Sequence, residues 1–195
     1  MVAETPTLDH LARIVMRGIA AGKTVEIDGL GVFLPEPGKL FRFEPLRNPP
    51  VFLAYAVEDR EIVLKLAEAL AAAGFAPWID VTKLIPGQNW PRAIECAIES
   101  SEFFVACFST HSVARRGGFQ AELRYALRCA KHVPLDQIFL VPVRLDACRV
   151  PRTIQREFQY VDLFPDWDAG VCRLVTAMRN ELAERNRNDL SRVRK

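Results

Sequence analysis

Two stretches of this chain, FFVACF at 103–108 and IFLVPV at 138–143, are unbroken apolar runs. A strand with one wet face alternates apolar and polar residues. An unbroken run suits a strand covered on both faces, as in a parallel sheet. Parallel neighbours need a long crossover, usually a helix, and the surrounding sequence supplies one each time. Strands are predicted at Val51–Ala56, Ala76–Ile79, Phe103–Ser109 and Gln137–Val143, with a short one at Gln159–Val161. Helices are predicted at Asp59–Ala73, Asn89–Ser100, Phe119–Lys131 and Asp168–Arg185, with a turn near Arg152–Gln155. The first helix carries Ile62, Leu66, Ala69, Leu70 and Ala73 at helical spacing and stops at Gly74. The last carries Val171, Leu174, Val175, Met178 and Leu182. Right-handed crossovers then give an α/β, doubly wound, five-stranded parallel sheet.

The Pro-containing segment PLRNPP, residues 45–50, is the predicted boundary between a small module at 1–46 and a main domain at 50–185. In the module, Thr7-Leu8-Asp9 caps a helix with apolar positions Leu11, Ile14, Val15 and Ile19, stopped by Gly22. KTVEIDGLGVFLPEPGKLFRF then reads as two or three short strands, with turns at Asp28-Gly29 and Pro37-Gly38. About 45 residues bury too little apolar surface to stand alone. The module is expected to pack on the main domain or on its copy in a second chain. GKTVEIDGLGVF resembles the histone-like HU family through Gly22, Lys23, Val25, Ile27, Gly29, Gly31 and Phe33, with Leu30 in place of the usual Phe. The long basic DNA-binding arm of that family is missing. The resemblance therefore implies dimerisation or packing, and DNA is not expected as a partner.

The net charge of +2 argues neither for nor against nucleic acid. Basic residues do bunch at the end: Arg185, Arg187, Arg192, Arg194 and Lys195, with 186–195 expected as a solvated, frayed tail. The five cysteines form no CxxC pair; Cys96, Cys107 and Cys129 read as small buried hydrophobes in a reducing compartment. His10, His111 and His132 have no metal spacing, so no metal is expected. The opening MVAETPTLDH has neither a basic start nor an apolar core segment, and no apolar run approaches the ~18 residues of a membrane span. The expectation is a cytoplasmic protein without a membrane partner.

No GxGxxG follows the first strand and no P-loop occurs. What remains is a set of loops above the strand ends, at 54–59, 80–90 and 109–122, where open α/β sheets place their chemistry. Here FLAYAVEDRE resembles the first box, F-I-S-Y-S-x-x-D, of the Toll/interleukin-1 receptor (TIR) domain in its bacterial form. PWIDVTKLIPGQNWPRAIECAI is similar to the second box and BB loop of that family. FSTHSVARRGGFQAELRYAL is similar to its third region, and IFLVPVRLDACRVP with FQYVDLF fits the bacterial pattern. The resemblance spans about Val51 to Leu182 and implies a flavodoxin-like sheet of order 2-1-3-4-5.

Many bacterial members of that family cleave NAD+ at the nicotinamide–ribose bond with one glutamate of the third region. The resemblance puts that role on Glu122, with NAD+ as substrate and no cofactor. Read without the family, Glu122 borders a helix stripe of Phe119, Leu123, Ala126, Leu127 and Ala130, about 80° from its centre. It is expected in the first turn, where the macrodipole favours a carboxylate. On pattern alone it reads as an ordinary border glutamate in the first turn of a helix, and the family wording around it reverses that reading. Candidate substrate contacts are Tyr55, which alternatively plugs the core, with Ala54, Asp80, Lys83, Gly87, Trp90, Ser109 and Arg115. Arg116 is a further phosphate candidate, and Gly117-Gly118 a source of flexibility for closure. Ala54 and Ala56 stand where the family usually has serines, removing two hydroxyls. The resemblance also implies activation by self-association through TIR domains, a cyclic ADP-ribose-type product in antiphage defence, and an unidentified effector or sensor protein. The alternative keeps the fold and makes the chain a non-enzymatic scaffold signalling by homotypic contact.

Overall fold

Strand β6 (Phe103–Phe108) shows how the sheet is held, because every one of its residues is buried. It belongs to a computed structural model that describes residues 8–27, 31–45, 48–79, 89–114, 117–134 and 136–193. Successive side chains of a strand point to opposite faces. Phe103, Val105 and Cys107 accordingly enter one core cluster, while Phe104, Ala106 and Phe108 enter another. Helices α2 (Arg60–Ala72) and α7 (Trp167–Val193) cover the first face through Val63, Leu66, Leu70, Leu174 and Met178. Helices α3 (Trp90–Glu99), α5 (Gly118–Ala130) and α6 (Arg152–Glu157) cover the second through Ile98, Phe119, Leu123, Ala126 and Ile154. The unbroken apolar run is thus the signature of a middle layer between two helical layers.

The chain divides into two compact units, Met1–Asn48 and Pro49–Lys195, with the division inside the Pro-containing segment. In the second unit β4 (Pro50–Ala54), β5 (Ala76–Trp78), β6, β7 (Leu140–Arg144) and β8 (Val161–Asp162) are all parallel, in the order β5-β4-β6-β7-β8. Numbered within the unit this is 2-1-3-4-5, the expected flavodoxin-like sheet. Phe52 on β4 stacks on Trp78 and Phe104, with ring centroids 4.8 and 5.3 Å apart, and so keys three adjacent strands together. Helix α2 ends at Gly74, whose φ of +89° suits a residue without a Cβ. Gly74 N–H donates to Ala71 O and Phe75 N–H to Leu70 O, both at 3.0 Å, which satisfies the last carbonyls of the helix. Phe75 then turns into the same core as Leu70.

In the first unit α1 (Leu8–Ala20) precedes an antiparallel sheet of β1 (Val25–Ile27), β2 (Gly31–Leu34) and β3 (Arg42–Pro45). A Cβ on Gly18 would stand 2.2 Å from Val25 Cγ2, so glycine there lets α1 lie close on β1. Phe33 meets Phe41 and Phe43 at 5.3 and 4.7 Å.

Several expectations need correction. Val15 is buried, but Ile14, expected beside it on the apolar stripe, is exposed. A unit of this size has too few elements to cover every apolar side chain of its helix. Cys107 is buried, whereas Cys96 is exposed and Cys129 only partly covered, because α3 and α5 turn those positions outward. The segment from 186 to 193, expected to fray, continues α7 as helix. The cap at Thr7 and the turn at Asp28-Gly29 lie outside the described residues, as does the side chain of Leu11.

Candidate active site

Because the strands are parallel, the residues leaving β4, β6 and β7 emerge on one side of the sheet. The helices after β4 and β6 cover opposite faces: α2 lies on one, α5 on the other. The gap between these adjacent strands is therefore a topological switch point, the place where open α/β sheets leave a crevice for ligands.

A buried carboxylate spans that gap. Asp59 ends the 3-10 turn Val57–Asp59 after β4, and its side chain does not cap α2. It crosses to the exit of β6 instead. There it accepts a hydrogen bond from the hydroxyl of Ser109 and lies 2.8 Å, Oδ1 to Nδ1, from His111. Asp59 is 7% exposed and Ser109 1%. A carboxylate only accepts, so His111 carries its proton on Nδ1 and Nε2 is left as the second polar site of the ring. The bond to Asp59 holds the imidazole above its ordinary 6.5; desolvation works against this, and the charges of Asp59, Glu58 and Asp146 add to it.

Ser109 and Ser112 lock the chain as it leaves β6. Ser109 N–H donates to Ser112 Oγ at 2.8 Å, and Ser112 N–H to Ser109 Oγ at 3.0 Å. This starts the short helix α4 (Thr110–Ala114). Thr110 donates through its N–H and its hydroxyl to Asp146 after β7, which also accepts from Cys148 N–H at 2.9 Å. Burial opposes ionisation of Asp146, but these bonds from Thr110 and Cys148 hold its carboxyl below the usual range. Three strand exits are thus joined by one run of hydrogen bonds. Burial pushes the Cys148 thiol up to about 11 and raises Cys107 and Cys129 as well, so none of these three is an activated nucleophile.

Helix α5 begins at this same end of the sheet. Phe119 packs edge-on against Phe108, centroids 5.4 Å apart, and Gln120 Nε2 donates to Ser112 O at 3.0 Å. Glu122 follows, partly buried, in the second turn. This corrects the expected first turn, which holds no acidic residue, because α5 starts already at Gly118. A helical Cβ leans toward the N-terminus, and Glu122 Oε1 lies 3.5 Å from where a Cβ on Gly118 would stand. The carboxylate therefore folds back over the opening turn.

Of the other candidates, Tyr55 is partly buried against the core of the α2/α7 face, as the plug reading expects. Ala54 points into the opposite core and is fully buried, since it shares the parity of Phe52 on β4; its side chain does not face a ligand. The Ser109 hydroxyl is likewise turned inward, to Asp59, rather than toward a substrate. Trp90 opens α3 behind Asn89, whose Oδ1 accepts from Arg92 N–H at 3.2 Å, but its side chain lies outside the described residues. Asp80, Lys83, Gly87, Arg115 and Arg116 also lie outside them. Gly117 has an extended φ of 174°, open to any residue. A hollow of about 450 Å³ in this unit is lined by Ser101, Glu102, His132, Phe139 and others at the opposite end of the sheet, and Glu122 is not part of it.

Asp59, His111, Thr110 and Asp146 were not singled out by sequence reasoning. Asp59 is the closing Asp of the first box and His111 sits in the third region, between Ser109 and Ser112, so the motifs contained both. Their pairing, 52 positions apart, has no local signature.

Known proteins agree with this architecture. The uncharacterized protein y4cD of Sinorhizobium fredii is 27% identical over 184 residues, 93% of this chain and 28% of that protein. The NAD(+) hydrolase PdTIR of Paracoccus denitrificans is 34% identical over 85 residues, 42% of this chain and 28% of that protein. The chain thus spans about a quarter of the length of these curated relatives. The crystal structure of the TIR domain of the Toll-related receptor TRR-2 from Hydra magnipapillata superposes with a TM-score of 0.52 at 23% identity, covering 65% of this chain and 97% of that one. That likeness is one of fold. A protein-family profile described as TIR domain matches residues 51–175, from β4 into α7. With the sheet order and more than half of its length in agreement, the chain belongs to the TIR domain family.

Proposed function

We propose that this chain is an NAD+ glycohydrolase with Glu122 as its catalytic carboxylate and NAD+ as substrate, needing no cofactor. The observation that carries the reading is the anchoring of α5. Phe119 on Phe108 and Gln120 on Ser112 fix its opening turn at the ligand end of the sheet, and Glu122 stands one step further along. The kinship with an NAD(+) hydrolase supports the substrate.

The chemistry asks little of the protein. When the nicotinamide–ribose bond breaks, its electron pair neutralises the pyridinium nitrogen, so the base leaves without a general acid. Positive charge moves to the ribose, where a fixed carboxylate stabilises it or holds the hydroxyls. Two carboxylates, as most glycoside hydrolases use, are unnecessary. Water then adds to the ribose and loses a proton. If closure excludes water, the adenine of the same molecule attacks instead and a cyclic ADP-ribose-type product forms. We place this activity in prokaryotic antiphage defence, switched on by self-association, with a separate effector or sensor protein. Val57, apolar and 79% exposed in the turn after β4, supports a contact surface beside the site. The same residue favours the second reading, a scaffold acting by homotypic contact alone. The first unit is proposed as an additional dimerising element.

The test is nicotinamide release from NAD+ by the concentrated protein. Glu122→Gln is expected to lower kcat by about 10²–10³-fold, the effect of removing one electrostatic stabiliser, with KM little changed. Equal release from parent and variant refutes the role of Glu122. Silence from a folded, self-associated parent favours the scaffold.

A further inference from the structure

We infer that His111 is a substrate-binding residue, its Nε2 donating to the pyrophosphate of the nucleotide at the switch-point crevice, with Asp59 as the residue that positions it. The inference rests on the NAD+-cleaving reading. The two side chains reach each other across the switch point, Asp59 from the exit of β4 and His111 from the exit of β6. The pair is also graded in depth. The Asp59 side chain is 7% exposed and that of His111 50%, so the carboxylate is walled in while the imidazole stands at the rim. A half-exposed imidazole fixed through Nδ1 has a defined plane and one remaining ring nitrogen. That is what a binding group needs and what a purely structural histidine does not.

Charge selects the ligand. His111 is acted on by Asp59 and Glu58 from the turn after β4 and by Asp146 after β7, all acidic. Asp59 is neutralised within the pair, and Asp146 is engaged by Thr110 and Cys148. With His111 protonated the rim offers a charged donor to an anion. With His111 neutral, the carboxylates dominate and repel it. NAD+ carries one diphosphate linkage between its two riboses, so the substrate supplies the anion. The acidic neighbours that raise the pKa of His111 therefore also make binding depend on its charge. Affinity for the nucleotide is expected to fall as pH rises through the titration of His111, while the bond-breaking step at Glu122 does not follow that titration.

The experiment follows the three histidines of the chain, His10, His111 and His132, by NMR across about pH 5.5–9, with and without ADP-ribose. ADP-ribose carries the diphosphate and lacks the scissile bond, so the readout does not depend on turnover. His111 is expected to titrate higher in its presence, and adenosine is expected to leave it unmoved. His132, at the other end of the sheet, is expected to ignore both. In the kinetic arm, KM for NAD+ rises about tenfold from the acid to the alkaline side in the parent, the worth of one charge-assisted contact, with kcat flat. His111→Gln keeps an N–H donor without a charge, so its KM is expected to be pH-independent. A His111 titration unmoved by millimolar ADP-ribose overturns the inference, as does a His111→Gln variant with the parent's KM profile. Absence of nicotinamide release from the parent instead defeats the glycohydrolase reading, and the ADP-ribose titration still decides His111.

Discussion

Replacing Asp59 by alanine tests whether the run of hydrogen bonds across the strand exits is a structural unit. In the parent, Asp59 accepts hydrogen bonds from the hydroxyl of Ser109, whose residue is 1% exposed, and from Nδ1–H of His111. Without the carboxylate, the Ser109 hydroxyl has lost its acceptor where water does not reach, a penalty of about 1–3 kcal/mol. The half-exposed His111 regains water and adds little. Loss of the side chain leaves a small void under the turn, so the sum for Asp59→Ala is about 2–3 kcal/mol. Asp59→Asn keeps the volume and one carbonyl acceptor for Ser109, and is expected to cost about half as much. Ser109→Ala removes the donor and also the acceptor of Ser112 N–H. Once Asp59 is gone, part of that damage has already been done. Urea unfolding of the parent, both single variants and the double variant closes the cycle. A coupling of at least about 1 kcal/mol is expected, with m unchanged. Additivity within about 0.3 kcal/mol, or an Asp59→Ala variant as stable as the parent, refutes the idea that these loops are held together through this side chain.

Two further outcomes follow from the rest of the fold. Glu181 of α7, its side chain 3% exposed, accepts from Ile138 N–H at 3.0 Å and Arg185 Nε at 2.7 Å, so it fastens the helix to the segment before β7; Glu181→Ala is expected to lower stability by about 3 kcal/mol in urea and Glu181→Gln by about 1, since Arg185 retains Glu102 and Ile138 O. Arg144 and Asp162, register partners at the ends of β7 and β8, form a bidentate pair at 2.5 and 2.7 Å that holds the Asp162 carboxyl below its ordinary 3.8. A carboxyl whose folded value is depressed contributes stability above its unfolded value and loses it as pH falls through the folded one. Parent and Asp162→Asn should therefore differ most above about pH 4 and converge below it, read from unfolding midpoints across pH.

The fold was legible where burial alone dictates pattern. The runs at 103–108 and 138–143 fall on β6 and β7, which like β4 have neighbours on both edges, and apart from the exposed Ile138 ahead of β7 their residues are buried. The α2 stripe was legible only in part: Val63 and Ala67 belong to the core beside Leu66 and Leu70, because a helix seated on a sheet buries a wider arc than its strictest apolar column. Strand β8 has only two residues, so its limits follow from pairing with β7 rather than from any periodicity of its own. In the first unit the pattern indicated which side of α1 is apolar, yet Ile14 is exposed while Val15 is buried. The partner surface of a short sheet decides that difference, and sequence spacing does not carry it.

The site was legible to a different degree for a physical reason. Sequence reasoning finds a residue by its local company, and Glu122 has that company on α5. Asp59, Ser109 and His111 acquire theirs only when β4 and β6 become neighbours. That adjacency is a consequence of sheet order, and it brings together positions 50 and 52 apart in the chain. The same order sets where the Ala54 and Ser109 side chains point. Parity along β4 sends Ala54 into the core with Phe52, and the adjacency of β4 and β6 lets the Ser109 hydroxyl donate to Asp59. A buried charge held this way is a poor device for stability alone, since apolar side chains packed in the same volume often serve as well. What apolar packing cannot do is fix the plane and tautomer of an imidazole at the rim. A carboxylate at the switch point, bonded to the histidine beside it, therefore fits the binding role proposed for His111 better than a role in folding alone.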